Sequence, residues 1–136
     1  DATVTMRRSV ERRSLEKTVS LSGDAPRMQY RYRLAGEAAP VVGMEFNLCV
    51  RDPQRLEPRW EPGVTMCRLQ DPSLGVAITM TSDAPMTLAT FPIETVSESE
   101  QGLERTYQGL AVVCFWDTHG RSPWGCTLDW ALDEVR

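Results

Sequence analysis

Arg27-Met28-Gln29-Tyr30-Arg31-Tyr32-Arg33-Leu34 alternates without a break. Met28, Tyr30, Tyr32 and Leu34 fall on one side of an extended chain, and Arg27, Gln29, Arg31 and Arg33 on the other. Successive strand side chains point to opposite faces, so this period marks a half-buried strand with a wet, basic outer face. The C-terminal stretch repeats the pattern: Trp124, Cys126, Leu128, Trp130 and Leu132 oppose Gly125, Thr127, Asp129, Ala131 and Asp133. Leu15, Val19 and Leu21 against Glu16, Thr18 and Ser20 do the same, with Lys17 the exception on the apolar side.

Outward from these three, residues 3–10, 42–50, 64–69, 75–81, 86–96 and 103–116 read as further strands. Turn signals punctuate them: Gly23-Asp24-Ala25-Pro26, Gly36, Asp52-Pro53, Glu61-Pro62-Gly63, Asp71-Pro72 and Asp83-Ala84-Pro85. Nine short strands with such turns predict an all-β fold, an antiparallel β-sandwich or a barrel. The only helical signal is Ser97-Glu98-Ser99-Glu100, a capped single turn with the Ser97 hydroxyl meeting the Glu100 amide. Repeats, low-complexity tracts and linkers are lacking, so residues 1–136 read as one domain.

The composition agrees. The chain has 136 residues, 41% apolar and 25% charged, which is globular and long enough for one core. A membrane helix needs about 20 consecutive apolar residues, and no such run occurs. Met6-Arg7-Arg8-Ser9-Val10-Glu11 is too charged for a signal peptide, and Asp1 in place of an initiator Met reads as an excised or processed piece. The net charge of −4 is uneven: eleven Arg and one Lys face nine acids up to Gln70, and three Arg face ten acids beyond it. Arg7, Arg8, Arg12 and Arg13 are interrupted by Glu11 and lack interleaved aromatics, so they read as a solvated face rather than a nucleic-acid site.

Chemistry-bearing residues are scarce. His119 is the only histidine and lies in Asp117-Thr118-His119-Gly120-Arg121, a turn, where a lone imidazole is normally solvated. An acid–base enzyme such as a sugar epimerase would have to use it. Lys17, the only lysine, has no Gly-rich loop before it, and no pair of glycines opens a dinucleotide fingerprint, so no cofactor is implied. Cys49, Cys67, Cys114 and Cys126 form no C-x-x-C pair and match no zinc spacing. They read as buried thiols of a reducing cytoplasm, although an even count also permits disulfides. The longest irregular piece, residues 51–63, carries three prolines and Trp60, either a platform facing a partner or a lid on one end of the core.

Phe91-Pro92-Ile93-Glu94-Thr95-Val96-Ser97-Glu98-Ser99-Glu100-Gln101-Gly102-Leu103-Glu104-Arg105-Thr106-Tyr107-Gln108-Gly109 is the most distinctive stretch. Gln101-Gly102 supplies a turn, and Glu94, Glu98, Glu100 and Glu104 gather on one hairpin. Such acids can bind a cation, accept hydrogen bonds from sugar hydroxyls, act as a catalytic carboxylate pair, or simply face water. Arg105 cannot share a strand face with its neighbour Glu104.

This stretch resembles the C-terminal region of the α-amylase/4-α-glucanotransferase group, glycoside hydrolase family 57. That group carries a similar Pro-x-x-Thr-x-Ser-x-Ser-Glu-x-Gly-x-Glu-x-x-Tyr-Gln-Gly string, matched by Pro92, Thr95, Ser97, Ser99, Glu100, Gly102, Glu104, Tyr107, Gln108 and Gly109. Glu45-Phe46-Asn47-Leu48 is similar to a strand of the same group, and the resemblance spans most of residues 42–132. It implies a galactose-mutarotase-like sandwich, whole or part of a larger supersandwich, appended to a catalytic barrel that acts on α-1,4-glucan. The group's catalytic motifs belong to that barrel and do not occur here, so no catalytic role passes to this chain. The expected function is therefore a non-catalytic accessory domain, with the barrel as its partner and α-glucan or maltooligosaccharide as a further ligand. A sugar site needs a flat aromatic face and fixed polar groups, which selects Trp60, Glu94, Glu100, Glu104, Tyr107 and Gln108. The alternative is a purely structural sandwich that touches no sugar and exposes a large apolar patch.

Overall fold

The computed structural model describes residues 1–51, 57–100 and 102–135. Its eight strands are β1 (Ala2–Val10), β2 (Arg13–Leu21), β3 (Arg27–Gly36), β4 (Val41–Leu48), β5 (Arg59–Asp71), β6 (Val76–Ser99), β7 (Gly102–Asp117) and β8 (Trp124–Glu134). All pairings are antiparallel, in the order β1-β2-β3-β8-β6-β7-β4, with β5 added to β6. No helix long and apolar enough to cross a membrane occurs among the described residues. The all-β antiparallel sandwich expected from alternation is borne out.

One ladder becomes two layers because β6 turns a corner. Its residues Val76–Ser82 pair with β8, whereas Thr87–Ser99 pair with β7, and β5 follows along the opposite edge. From Thr81 to Met86 on β6, β5 advances only from Met66 to Val64, so β6 carries surplus chain at the bend. The Ser82 hydroxyl fixes that surplus, donating to the Ala84 carbonyl at 2.7 Å and accepting the Trp116 indole N–H at 3.0 Å. Asp83 accepts the Thr127 amide at 2.8 Å and ties the bend to β8. Asp83-Ala84-Pro85 is therefore a bend within one long strand, and eight strands among the described residues stand where nine were expected. Pro85 is tolerated because a bulge leaves its missing N–H without a ladder partner.

One further expectation needs correction. The capped turn over Ser97–Glu100 does not form: Ser97 pairs with Glu104 in β6–β7, and extended pairing satisfies the backbone instead. Gln101 and the Asp52-Pro53 turn lie outside the described residues. Gly36, expected as a turn, ends β3 at φ 88°, and an added Cβ would sit 2.0 Å from the Arg12 carbonyl oxygen. Only glycine admits the β1–β2 turn so close.

The first layer holds β1, β2, β3, β8 and the start of β6, and the second holds β4, β7 and the end of β6. Aromatic rings join them: Phe46 meets Tyr30 at 5.2 Å and Trp130 at 4.8 Å, and Trp116 meets Tyr32 and Trp124 at 6.2 Å each. Met80, Leu88, Val112, Cys114 and Leu128 fill the space between and are fully buried. Lys17, the exception to alternation, faces inward with Tyr32 as its cross-strand partner, and its ammonium lies 5.1 Å from the Tyr30 ring centroid. An apolar stem and a ring face together accommodate that cation on the apolar side.

Candidate functional site

The acidic hairpin does not gather its carboxylates. Glu94 pairs with Tyr107, Val96 with Arg105 and Glu98 with Leu103, which places these six on one face. Ser97 and Glu104 pair on the other face, and Glu100 is exposed at the turn after Ser99. Glu94 and Glu104 therefore point to opposite sides. Arg105 joins Glu94 at 3.3 Å, as its exclusion from the face of Glu104 requires. Among the described residues, no three His, Cys, Asp or Glu side chains converge on a metal geometry.

Tyr107 and Gln108 hold this hairpin in shape. The ladder slips between Ile93↔Gly109 and Glu94↔Tyr107, so Gln108 is the surplus residue of a bulge. Its side-chain amide donates to Thr95 Oγ1 at 3.3 Å. The Tyr107 hydroxyl donates to the carbonyl of Val50, a buried residue, and so closes that end of the core. Gly109 follows because an added Cβ would stand 2.7 Å from the Leu48 carbonyl oxygen.

Trp60 lies elsewhere. It belongs to strand β5 rather than to a loop, and it is 65% exposed opposite Ala89. The expected lid is thus corrected: strand pairing turns this side chain outward, away from the core. Along β6, Ala89 stands eight residues from Ser97, the partner of Glu104, or about 26 Å at strand spacing. Trp60 and the hairpin acids do not share one pocket.

The surroundings of Trp60 were not anticipated. In register across four strands run Trp60, Ala89, Val113 and Glu45. Beside that row run Thr87, Phe115 and Gly43 on one flank, and Phe91, Ala111 and Asn47 on the other. The Trp60 ring lies 5.6 Å from that of Phe115 at an interplanar angle of 35°. Phe91 is 42% exposed, while Ala89 and Ala111 are buried beneath their larger neighbours. The second layer thus carries an aromatic outer face with a floor of small residues and polar ends at Glu45 and Asn47. The signal for it was present: Leu110-Ala111-Val112-Val113-Cys114-Phe115-Trp116 is unbroken and apolar, the mark of a strand covered on both faces.

The remaining candidates have structural surroundings. His119 is exposed on its turn, with Nδ1 3.4 Å from Asp117, which also accepts the His119 amide at 2.7 Å. Cys67, Cys114 and Cys126 are buried on three different strands, whereas Cys49, expected buried, is exposed. Burial pushes the Cys114 and Cys126 thiols up to about 12, far from a reactive thiolate. Burial likewise raises Tyr32. Asp71 is held below the usual carboxylate range by the Ser73 hydroxyl and then the Arg51 amide, which makes it a turn brace.

Comparison with known proteins assigns the fold. The model of the α-amylase/4-α-glucanotransferase C-terminal family matches residues 1–128. The chain belongs to that family. "Alpha-amylase 1" of Dictyoglomus thermophilum is 40% identical over 57 residues, which cover 40% of this chain and 8% of that protein. The crystal structure of the 4-α-glucanotransferase of Thermococcus litoralis overlays 95% of this chain and 20% of its own, with TM-score 0.74 and 21% identity. A heparan sulfate lyase, HepC of Pedobacter heparinus, shares the fold with TM-score 0.64 at 11% identity, over 98% of this chain and 20% of its own. The chain therefore spans a small part of the length of these relatives.

Proposed function

We propose that this chain is a non-catalytic accessory sandwich of an α-glucan-active glycoside hydrolase or glucanotransferase. It supports the catalytic barrel of that polypeptide and holds α-glucan on the outer face around Trp60. Family membership supports the first part, together with the small share that the match occupies in its relatives. The observation that carries the second is Trp60, a large indole left 65% exposed on a strand and braced by Phe115. An exposed ring stacks on the apolar face of a sugar, and Glu45 and Asn47 on the same face accept from or donate to its hydroxyls. Glu100 and Glu104, exposed on the distant hairpin, form a second polar contact for a long chain, while Glu94, Tyr107 and Gln108 shape the hairpin that presents them. Buried cysteines on separate strands support a reducing, cytoplasmic setting.

Titration with maltooligosaccharide under tryptophan fluorescence tests the reading. A saturating change at millimolar sugar, equivalent to roughly 4 kcal/mol, is expected, and Trp60→Ala should abolish it. Absence of any response leaves the purely structural role, which the exposed apolar residues Val4, Met6, Val10 and Leu21 favour. New oligosaccharides in the mixture would refute the non-catalytic assignment.

A further inference from the structure

Gly43 stands on the outer face of β4, in register with Phe115 and Thr87. A glycine inside a strand weakens it, so its presence needs a cause. Backbone conformation is not that cause, because its φ lies outside the left-handed region that Gly36, Gly63 and Gly102 occupy. Space is the cause. A Cβ added there would meet Cδ1 and Cε1 of Phe115 at 3.2 and 3.3 Å, closer than carbon atoms normally pack. The Phe115 ring therefore lies over bare backbone of β4, where the outward position of an edge strand ordinarily holds a charged or β-branched side chain.

That seat sets the angle of the aromatic surface. Phe115 is half-buried against β4, Trp60 reaches towards it from β5, and the two rings incline at 35° with centroids 5.6 Å apart. Beside them Ala89 and Ala111 are buried at the floor of the face, and Phe91 stands exposed on the far side. Thr87, the partner of Phe115, and Phe91 are four residues apart on β6, so the two ring-bearing rows lie about 13 Å apart. That is room for a single file of sugar rings. Glu45 and Asn47, both exposed, border it on β4.

We infer that Gly43 and Phe115 make the surface at Trp60 selective for a coiled α-1,4-linked chain over a flat β-1,4-linked one. Phe115 is the second stacking ring, and Gly43 is the positioning residue that holds its tilt. The inference rests on the glucan site proposed above. The axial bond at C1 of an α-1,4 chain turns each sugar ring relative to the last, so neighbouring rings offer faces inclined to one another. An all-equatorial β-1,4 chain is a ribbon whose rings share one plane. Two aromatic faces at 35° meet two successive rings of the first chain and only one of the second.

Calorimetric titration of the chain with maltoheptaose and with cellohexaose tests this. Maltoheptaose should bind at least about fivefold tighter, the worth of one ring contact. Gly43→Val puts a branched side chain under Phe115, and the preference should fall below about twofold while tryptophan fluorescence still responds to maltoheptaose. Gly43→Ala, the milder intrusion, should give an intermediate ratio, and it carries the test if the valine variant does not fold. Equal or tighter binding of cellohexaose overturns the inference and leaves the glucan site standing. So does an unchanged ratio in a folded Gly43 variant, which reduces the glycine to a packing role. A response to neither sugar removes the glucan site itself, and the inference with it.

Discussion

The two outer faces of this sandwich arise from the same alternation and end in different chemistry. On the first layer, Thr3 meets Ser20 and Thr5 meets Thr18 at 3.1 Å, and Gln29 donates to Asp129 at 2.8 Å. Short polar side chains there satisfy one another. On the second layer, Trp60, Phe91 and Phe115 surround Ala89 and Ala111. A face that only had to stay wet would not keep three large rings. The contrast teaches that outward residues differ from layer to layer with what each face meets, whereas inward ones report packing on both.

The largest expected effect removes what both faces share. Trp116→Ala takes a fully buried ring from between the layers and the donor that fixes Ser82, and should cost about 3–5 kcal/mol in denaturant unfolding. An alkaline limit comes next. The folded thiols of Cys114 and Cys126 titrate near 12 against a reference of 9.0, so the unfolded chain releases protons first. Their contribution to stability is complete below about pH 9 and is lost as pH rises towards 12. Melting temperature measured across that range should fall, and Cys114→Ala should flatten the fall.

Paired truncations on the two faces sharpen the contrast. Phe115→Ala, which strips the support from Trp60, should cost about 1–2 kcal/mol and weaken the sugar response. Thr5→Ala on the polar face should stay within about 0.5 kcal/mol and leave that response unchanged. Lys17→Ala removes one cation–ring contact, and about 0.5–1 kcal/mol is expected by thermal melting.

Much of the fold was legible because its strands have one wet face. Arg27–Gly36 and Trp124–Glu134 pair with each other and alternate cleanly, and both lie in the layer whose outer face is polar. The corner in β6 was not legible: Asp83-Ala84-Pro85 carries the same residues as a chain reversal, and the contacts of Ser82 with Ala84 and Trp116 and of Asp83 with Thr127 make it a bend. Trp60 was legible as a candidate aromatic but not as a strand residue, because Pro58 and Pro62 flank it. Phe115 escaped notice since its partners on the outer face come from three other strands. The hairpin acids looked like a cluster because sequence proximity ignores facing. The bulge at Gln108 then sets which of them meets Arg105.

The most direct test is nuclear magnetic resonance mapping of maltoheptaose on the chain. The account expects shift changes confined to the outer face of the second layer, centred on Trp60 and reaching Phe115, Glu45 and Asn47. Changes centred on the polar outer face of the first layer, or no change at saturating sugar, would contradict it.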